Sequence, residues 1–279
     1  MSLVRGESFR RLLARSEREA VGWFESMEPW SPPSPRGFYP ARTLRTLHLA
    51  AVTRFQSGVI LLRRPTLAWS ASDQVRALVE LFAHCAWIAG AGGLSAPMSG
   101  RARAICVELG MAKALVDELE LLESTVGISF PTGYVADKRW LVQHFAKLHA
   151  HHECACRGAG RSFRSVRETL RALSVVNTSK HFGRAKLIYG LWLTSSRAAH
   201  FPRLEHIAAD AAGGAAVSPA TTSDRAITLH NLVMIQSYIA TFAATPFARQ
   251  RNIAGSAYLL LHDIEARTRV FRVAEMRSR

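Results

Sequence analysis

Residues 149–156, with the sequence HAHHECAC, hold the densest group of potential metal ligands in the chain. Zinc binds four nitrogen, sulfur or carboxylate ligands, usually as two separated pairs. On a helix, His149 and Glu153 would lie one turn apart, and His152 and Cys156 would form a second such pair. Because no second dense cluster completes a site, we expect a solvent-facing helix end without metal or cofactor. A metal site of these four residues is the alternative.

Residues 157–203 are the most basic stretch of the chain. They hold eight arginines and two lysines against one acid, which is +9 of a net charge of +15. Side chains of this kind contact the phosphates of nucleic acids. A capping box of Ser165 and Glu168 predicts a helix that begins inside this stretch, after a Gly-containing loop. The candidate nucleic-acid-binding residues are Arg157, Arg161, Arg164, Arg167 and Arg171.

Arginine–histidine pairs suggest chemistry on RNA. Small all-helical bacterial proteins of the HEPN group cut RNA with an Arg and a His a few residues apart, and this chain is similar to them at the level of that motif. Roughly four such pairs would arise by chance in so Arg-rich a chain. Arg139 and His144 are the best placed, because they precede the His-rich segment; a solvated helix face is the alternative. The pairs are Arg42/His48, Arg139/His144 and Arg225/His230.

Two apolar helical segments each carry a line of polar side chains. Arg76 and Glu80 are one turn apart, and Tyr189, Ser196 and His200 share one helix face. Buried polar groups need partners, so we expect the two lines to pair inside the bundle as a structural network. In the catalytic interpretation, His200 is a general acid/base oriented by Ser196 or Glu80, and Arg76 binds an anion.

These two segments carry a family resemblance. The sequences GVILLRRPTLAWSASDQVRALVELFAHCAWI and YGLWLTSSRAAH resemble a large bacterial family of all-helical proteins, known as a domain of unknown function. In that family a helix with an Arg-x-x-x-Glu element precedes one with a Tyr…Ser-x-x-x-His element. The resemblance covers about residues 45–205 and implies an all-helical fold without an established activity. Trp192 and Thr194 depart from the family pattern. The matching positions are Arg76, Glu80, Tyr189, Ser196 and His200.

Composition limits the class of protein. The chain has 279 residues, 48% of them hydrophobic, which is enough to bury a sizeable core. Its four cysteines are too few for a disulfide framework, so we expect a reducing, cytoplasmic compartment. Cys85 and Cys106 lie in apolar helical patterns and are predicted to be core thiols. The N-terminus shows no export signal.

One apolar stretch resembles a membrane span. Residues 226–248 carry no charge over 23 positions, a length that could cross a bilayer. Polar residues such as His230, Asn231 and Gln236 are costly in lipid, and the chain has no second span. We therefore expect a central buried helix and no membrane span.

Apolar residues recur at helical spacing in nearly every long segment, and no alternating strand pattern of useful length occurs. The main breaks are a Pro-rich loop near 29–40, a helix stop at Gly90 and a flexible Ala/Gly/Ser loop near 207–223. We predict a single all-α domain, a multi-helix bundle of about eight or nine helices.

The sequence lacks a phosphate-binding Gly-Lys-Ser/Thr loop and a serine-hydrolase elbow. It predicts a basic cytoplasmic helical protein associated with RNA or DNA, of which an RNA-cleaving or defence-type effector would be one form. The alternative is a non-enzymatic interaction or scaffold protein with a buried structural polar network. The sequence leaves open whether the protein is an enzyme and whether it forms a homo-oligomer.

Overall fold

The computed structural model describes residues 2–26, 38–91, 99–131, 133–152, 165–175, 185–200, 219–245 and 250–277. Within these ranges the chain forms nine α-helices and no strand, so the predicted all-α multi-helix bundle is confirmed. The helices are α1 (Ser2–Glu25), α2 (Phe38–Leu62), α3 (Ala71–Ala89), α4 (Gly100–Leu121), α5 (Tyr134–His152), α6 (Val166–Val175), α7 (Ala185–His200), α8 (Thr222–Ala243) and α9 (Gln250–Met276).

Helix α8 is the central helix of the bundle. It packs against α1, α2, α3 and α9, and it buries residues such as Leu229, Leu232, Val233 and Ile239. In the part of the chain that the structure describes, only α8 is long and apolar enough to cross a membrane, and 67% of its apolar stretch is buried. The expected central buried helix is therefore confirmed, and no clear membrane span is found.

The start of α8 is tied to the end of α2. Thr221 and Asp224 form a capping box: Thr221 Oγ1 accepts from the Asp224 amide at 3.1 Å, and Asp224 Oδ2 accepts from the Thr221 amide at 3.1 Å. Arg225 donates to the carbonyl oxygen of Leu62 at 3.1 Å. Its guanidinium also lies 4.7 Å from the ring centroid of Phe9. These contacts fix where α8 enters the core.

Eight of the helices contribute to one continuous core. Its buried residues include Phe9 of α1, Phe55 of α2, Phe82 of α3 and Ile188 of α7. Helix α5 packs along α4 and buries Phe145. The apolar faces of the sequence thus find partners by packing helix on helix.

The helix boundaries follow the predicted signals with small shifts. Gly90 ends α3 with φ 72°, a left-handed conformation that favours glycine. Ser165 and Glu168 form the predicted capping box at the start of α6, with two hydrogen bonds of 3.3 Å. Helix α4 continues into a π-helical turn, Leu122–Val126, before Gly127.

The two predicted loops are shorter than expected where the structure describes them. Residues 38–40 form the first turn of α2, where Pro40 is tolerated because its missing N–H would have no intrahelical partner. Residues 222–223 belong to α8 because the cap is Thr221. The rest of both loops, 29–37 and 207–218, lies outside the described residues.

Candidate functional site

The predicted polar line of α3 is an ion pair within that helix. Arg76 Nε lies 3.2 Å from Glu80 Oε1, at the spacing that favours such pairs. The two side chains are 28% and 41% exposed, so the expectation that they lie sealed inside the bundle is wrong. The physical reason is that α3 turns Val75, Leu78 and Phe82 into the core, which leaves the polar line at the edge of that face.

The second predicted line lies on α7, which packs against α3 and α6. Tyr189 is partly buried, and its ring stacks on Trp192 with a centroid distance of 6.4 Å and an interplanar angle of 12°. Ser196 and His200 belong to the helix, but their side chains lie outside the described part of the structure. The catalytic roles suggested for these residues stay predictions.

Two of the five predicted nucleic-acid-binding arginines fall in the described part of the chain. Arg167 and Arg171 lie one turn apart on α6, and both are exposed. This helical end of the basic stretch therefore faces solvent. The other three lie outside the described residues: Arg157, Arg161 and Arg164.

The side chains of Arg139 and His144 contact different neighbours. Arg139 Nη2 lies 2.9 Å from Glu120 Oε1 of α4, whereas the ring of His144 stacks on Trp140 at 5.2 Å. Five positions on a continuous helix are about 140° apart around its axis. The structure does not bring the two side chains to one point, and their use as an RNA-cleaving pair stays a prediction.

Of the other two arginine–histidine pairs, three residues are buried in the core or contact other helices, and the fourth, Arg42, is exposed. His48 is fully buried. Arg225 donates to the last carbonyl of α2, and His230 Nε2 lies 3.0 Å from Glu265 Oε1 of α9. These contacts hold helices together.

The structure describes the side chain of only one of the four residues in the possible metal site of the His-rich segment. The side chain of His149 is described, whereas that of His152, together with Glu153 and Cys156, lies outside the described residues. Elsewhere in the described ranges, no group of three or more His, Cys, Asp or Glu could hold a metal. The four-residue metal site therefore stays a prediction.

His149 instead contacts a cysteine of another helix. Its Nε2 lies 3.0 Å from Cys106 Sγ of α4. Cys106 is partly buried and packs against the edge of the core, so its prediction as a core thiol is only partly met. Cys85, on α3, is fully buried as predicted.

Four arginines that the structure describes line a groove between α1 and α9. We call it the α1–α9 groove; it has a volume of about 700 Å³. Arg15 Nη1 and Arg267 Nε each lie near a carboxylate oxygen of Asp263, at 2.9 and 3.0 Å. Arg267 also donates to Ser8 Oγ at 3.0 Å. The lining residues are Ser8, Arg11, Leu12, Ala14, Arg15, Arg18, Asp263 and Arg267.

The α1–α9 groove is strongly basic. Its lining has four arginines and one carboxylate, a net charge of +3. Nearby acids of α1 face other partners: Glu17 pairs with Arg63 of α2 at 2.8 Å, and Glu19 accepts from Ser256 of α9 at 3.3 Å. Among the described residues that line the groove, Asp263 is the one carboxylate.

The sequence contains a signal for this groove in the spacing of the arginines of α1, which the net charge of the whole segment does not show. Arg11, Arg15 and Arg18 follow one another at steps of four and three residues, which places them on one face of α1. Their surroundings are mixed in charge, so the segment as a whole is not conspicuously basic. Arg267 joins them only through the packing of α9 on α1.

No protein-family model, curated protein or solved structure matches the chain. The resemblance to the all-helical family and to HEPN proteins therefore stays a prediction from short motifs.

Proposed function

We propose that this protein binds the phosphate backbone of RNA or DNA, with the α1–α9 groove as its principal contact surface. The observation that carries the proposal is that Arg11, Arg15, Arg18 and Arg267 line one groove, in which Arg15 and Arg267 share the Asp263 carboxylate. The net charge of +15 draws polyanions to the whole molecule, and the groove brings four of the described arginines to one space.

The chemistry of the groove suits phosphate. A guanidinium offers a planar fork of donors that matches two phosphate oxygens at once. The side chains of Arg15 and Arg267 are 43% and 41% exposed, so each retains surface for a ligand while Asp263 orients it. Arg11 and Arg18 are exposed at the groove. A ligand therefore meets donors that are already directed into one space.

Exposed arginines outside the groove extend the contact surface. Arg167 and Arg171 on α6 are exposed, and they belong to the basic stretch that the sequence singled out. Phosphate contacts position a protein on a nucleic acid but carry no sequence information. We therefore expect binding that depends on salt and tolerates many sequences.

The test measures binding of a fluorescent single-stranded RNA and a DNA duplex by anisotropy over a range of salt concentrations. A double variant, Arg11→Gln with Arg18→Gln, removes two charges from the groove and keeps Arg15 and Arg267, which pair with Asp263. The matched control is Arg54→Gln with Arg64→Gln, which removes the same charge from exposed positions outside the groove lining. The same samples show whether the RNA is cleaved.

We expect the groove variant to weaken binding at every sequence tested. Removal of one arginine–phosphate interaction should reduce the slope of log K against log salt by about 0.7–0.9. The control variant should keep a slope near that of the unchanged protein. Equal weakening in both variants, or no binding at low salt, would contradict the proposal.

A further inference from the structure

Three helices bring a cysteine, two histidines and a lysine to one cavity. Cys106 and Lys113 come from α4, His149 from α5 and His84 from α3. The cavity has a volume of about 460 Å³ and shares no lining residue with the α1–α9 groove. Its remaining lining is apolar or small: Val107, Leu109, Gly110 and Met111.

The cysteine and the first histidine form a hydrogen-bonded pair. His149 Nε2 lies 3.0 Å from Cys106 Sγ, close enough for a proton to pass from the thiol to the imidazole. The resulting thiolate, and not the thiol, is the nucleophile. Cys85 gives the contrast within the same protein, because complete burial raises the pKa of its thiol.

The second histidine is held neutral beside this pair. His84 Nδ1 donates to the Glu80 carbonyl oxygen at 2.8 Å, and burial lowers the pKa of the imidazole, against the opposing effect of Glu80. A neutral His84 adds no positive charge and leaves His149 as the group that takes the thiol proton. The backbone hydrogen bond places the proton of His84 on Nδ1.

One face of α4 leaves space over the thiol. Gly110 and Lys113 follow Cys106 at four and seven residues, so all three share that face. A Cβ at Gly110 would meet nothing within 4 Å, so this part of the cavity lining beside Cys106 is open. The exposed Lys113 supplies a positive charge at the same cavity.

We propose that Cys106 is a nucleophilic residue, activated by His149, that accepts the acyl group of a small, mainly apolar ester or thioester. His149 Nε2 takes the thiol proton, and Cys106 Sγ forms a bond to the carbonyl carbon. The bond from that carbon to the leaving oxygen or sulfur breaks, and the leaving group departs with the proton from His149. Water then cleaves the S-acyl bond, which releases a carboxylic acid and restores the thiol.

The test uses p-nitrophenyl acetate as the acyl donor and the full chain in a Cys154→Ser, Cys156→Ser background. Released p-nitrophenolate gives the rate, and peptide mass spectrometry shows which cysteine carries the acetyl group. The variants are Cys106→Ser, His149→Gln and Gly110→Leu, each checked for an unchanged melting transition. Gly110→Leu leaves the thiol and the imidazole in place but fills the space over them.

We expect acetylation at Cys106 and none at Cys85. His149→Gln should slow it by roughly 10²-fold or more near neutral pH, because the hydrogen-bonded imidazole that accepts the thiol proton is removed. Gly110→Leu should slow it too, because its side chain fills the space that the donor needs. Acetylation that is absent, or that is unaffected by His149→Gln in the folded protein, would overturn the proposal.

Discussion

Arg15 on α1 donates a hydrogen bond to Asp263 on α9 at 2.9 Å, across 248 positions of the sequence. The same carboxylate lies 3.0 Å from Arg267 Nε. Partly exposed pairs of this kind contribute only about 0–1 kcal/mol to stability. The main effects of Asp263 are therefore to orient two guanidinium groups and to cancel one positive charge of the α1–α9 groove.

Asp263→Asn should tighten binding of RNA and DNA. The amide keeps a hydrogen-bond acceptor for the arginines but removes a negative charge next to the expected phosphate position. We expect an affinity gain of about fivefold at low salt, the order of 1 kcal/mol for one unit charge at contact distance in water. Anisotropy measures it, with Glu123→Gln as an exposed control of equal charge change. Weaker binding than in the control would contradict the phosphate role of the groove.

His48 makes stability depend on pH. It is fully buried on α2, with its ring centroid 5.5 Å from that of Phe24. Neither ring nitrogen has a hydrogen-bond partner among the described residues, and burial lowers its pKa from 6.5 to about 3. Between about pH 6.5 and pH 3, His48 therefore binds a proton in the unfolded chain, whereas it stays neutral in the folded chain.

This contribution of His48 has a defined sign. The free energy of unfolding is unaffected by His48 above about pH 6.5, and it falls as the pH drops toward 3, by up to about 1.4 kcal/mol per pH unit. His48→Phe should remove this part of the acid sensitivity. Urea unfolding at several pH values measures it, with His262→Gln on the exposed side of α9 as the control. A variant as acid-sensitive as the parent would show that His48 is not buried.

Gly58 sets the distance between α2 and α8. A Cβ at this position would lie 2.8 Å from Leu232 Cδ1, so larger side chains must displace a core leucine. We expect Gly58→Val to lower the free energy of unfolding by about 1–3 kcal/mol. Gly22→Ala on α1 is the control, since nothing lies within 4 Å of its Cβ, and it should stabilise by about 0.5–1 kcal/mol. Thermal unfolding that ranks the two variants the other way would refute this packing.

Gln236 is a buried polar residue that is expected to lower the free energy of unfolding. Its amide is fully buried on α8, and neither amide atom has a partner in the described part of the chain. Gln236→Met keeps the shape and removes the unsatisfied groups, so it should raise the free energy of unfolding by about 1 kcal/mol. Urea denaturation measures the change, with the exposed Gln143→Met on α5 as the control. A marked loss of stability would mean that the amide has a partner.

The helices were predictable because each depends on local signals. The uncharged stretch after residue 225 predicted a buried helix, and α8 occupies the centre of the core. Gly90 and the Ser165–Glu168 box predicted a helix end and a helix start that the structure confirms. Apolar periodicity and capping chemistry act over a few residues, so a single sequence displays them.

The sites were less predictable because they depend on which helices meet. Cys106 and His149 are 43 positions apart, and nothing in the pattern of α4 alone distinguishes a thiol facing α5 from one facing the core. Arg267 completes a groove whose other arginines lie on α1. Arg76 and Glu80 were predicted to share one face of α3, and they do, but their exposure depends on how α3 is rotated in the bundle.

The position of α8 in the chain has a consequence for biosynthesis. Its anchor to α2 joins residues 163 positions apart, so the ribosome makes the outer helices long before the one that they surround. Until α8 emerges, α2 and α3 expose apolar faces that have no native cover, and such nascent chains are prone to aggregate. Folding of this protein is therefore expected to be completed late, and to depend on chaperones while the chain is still growing.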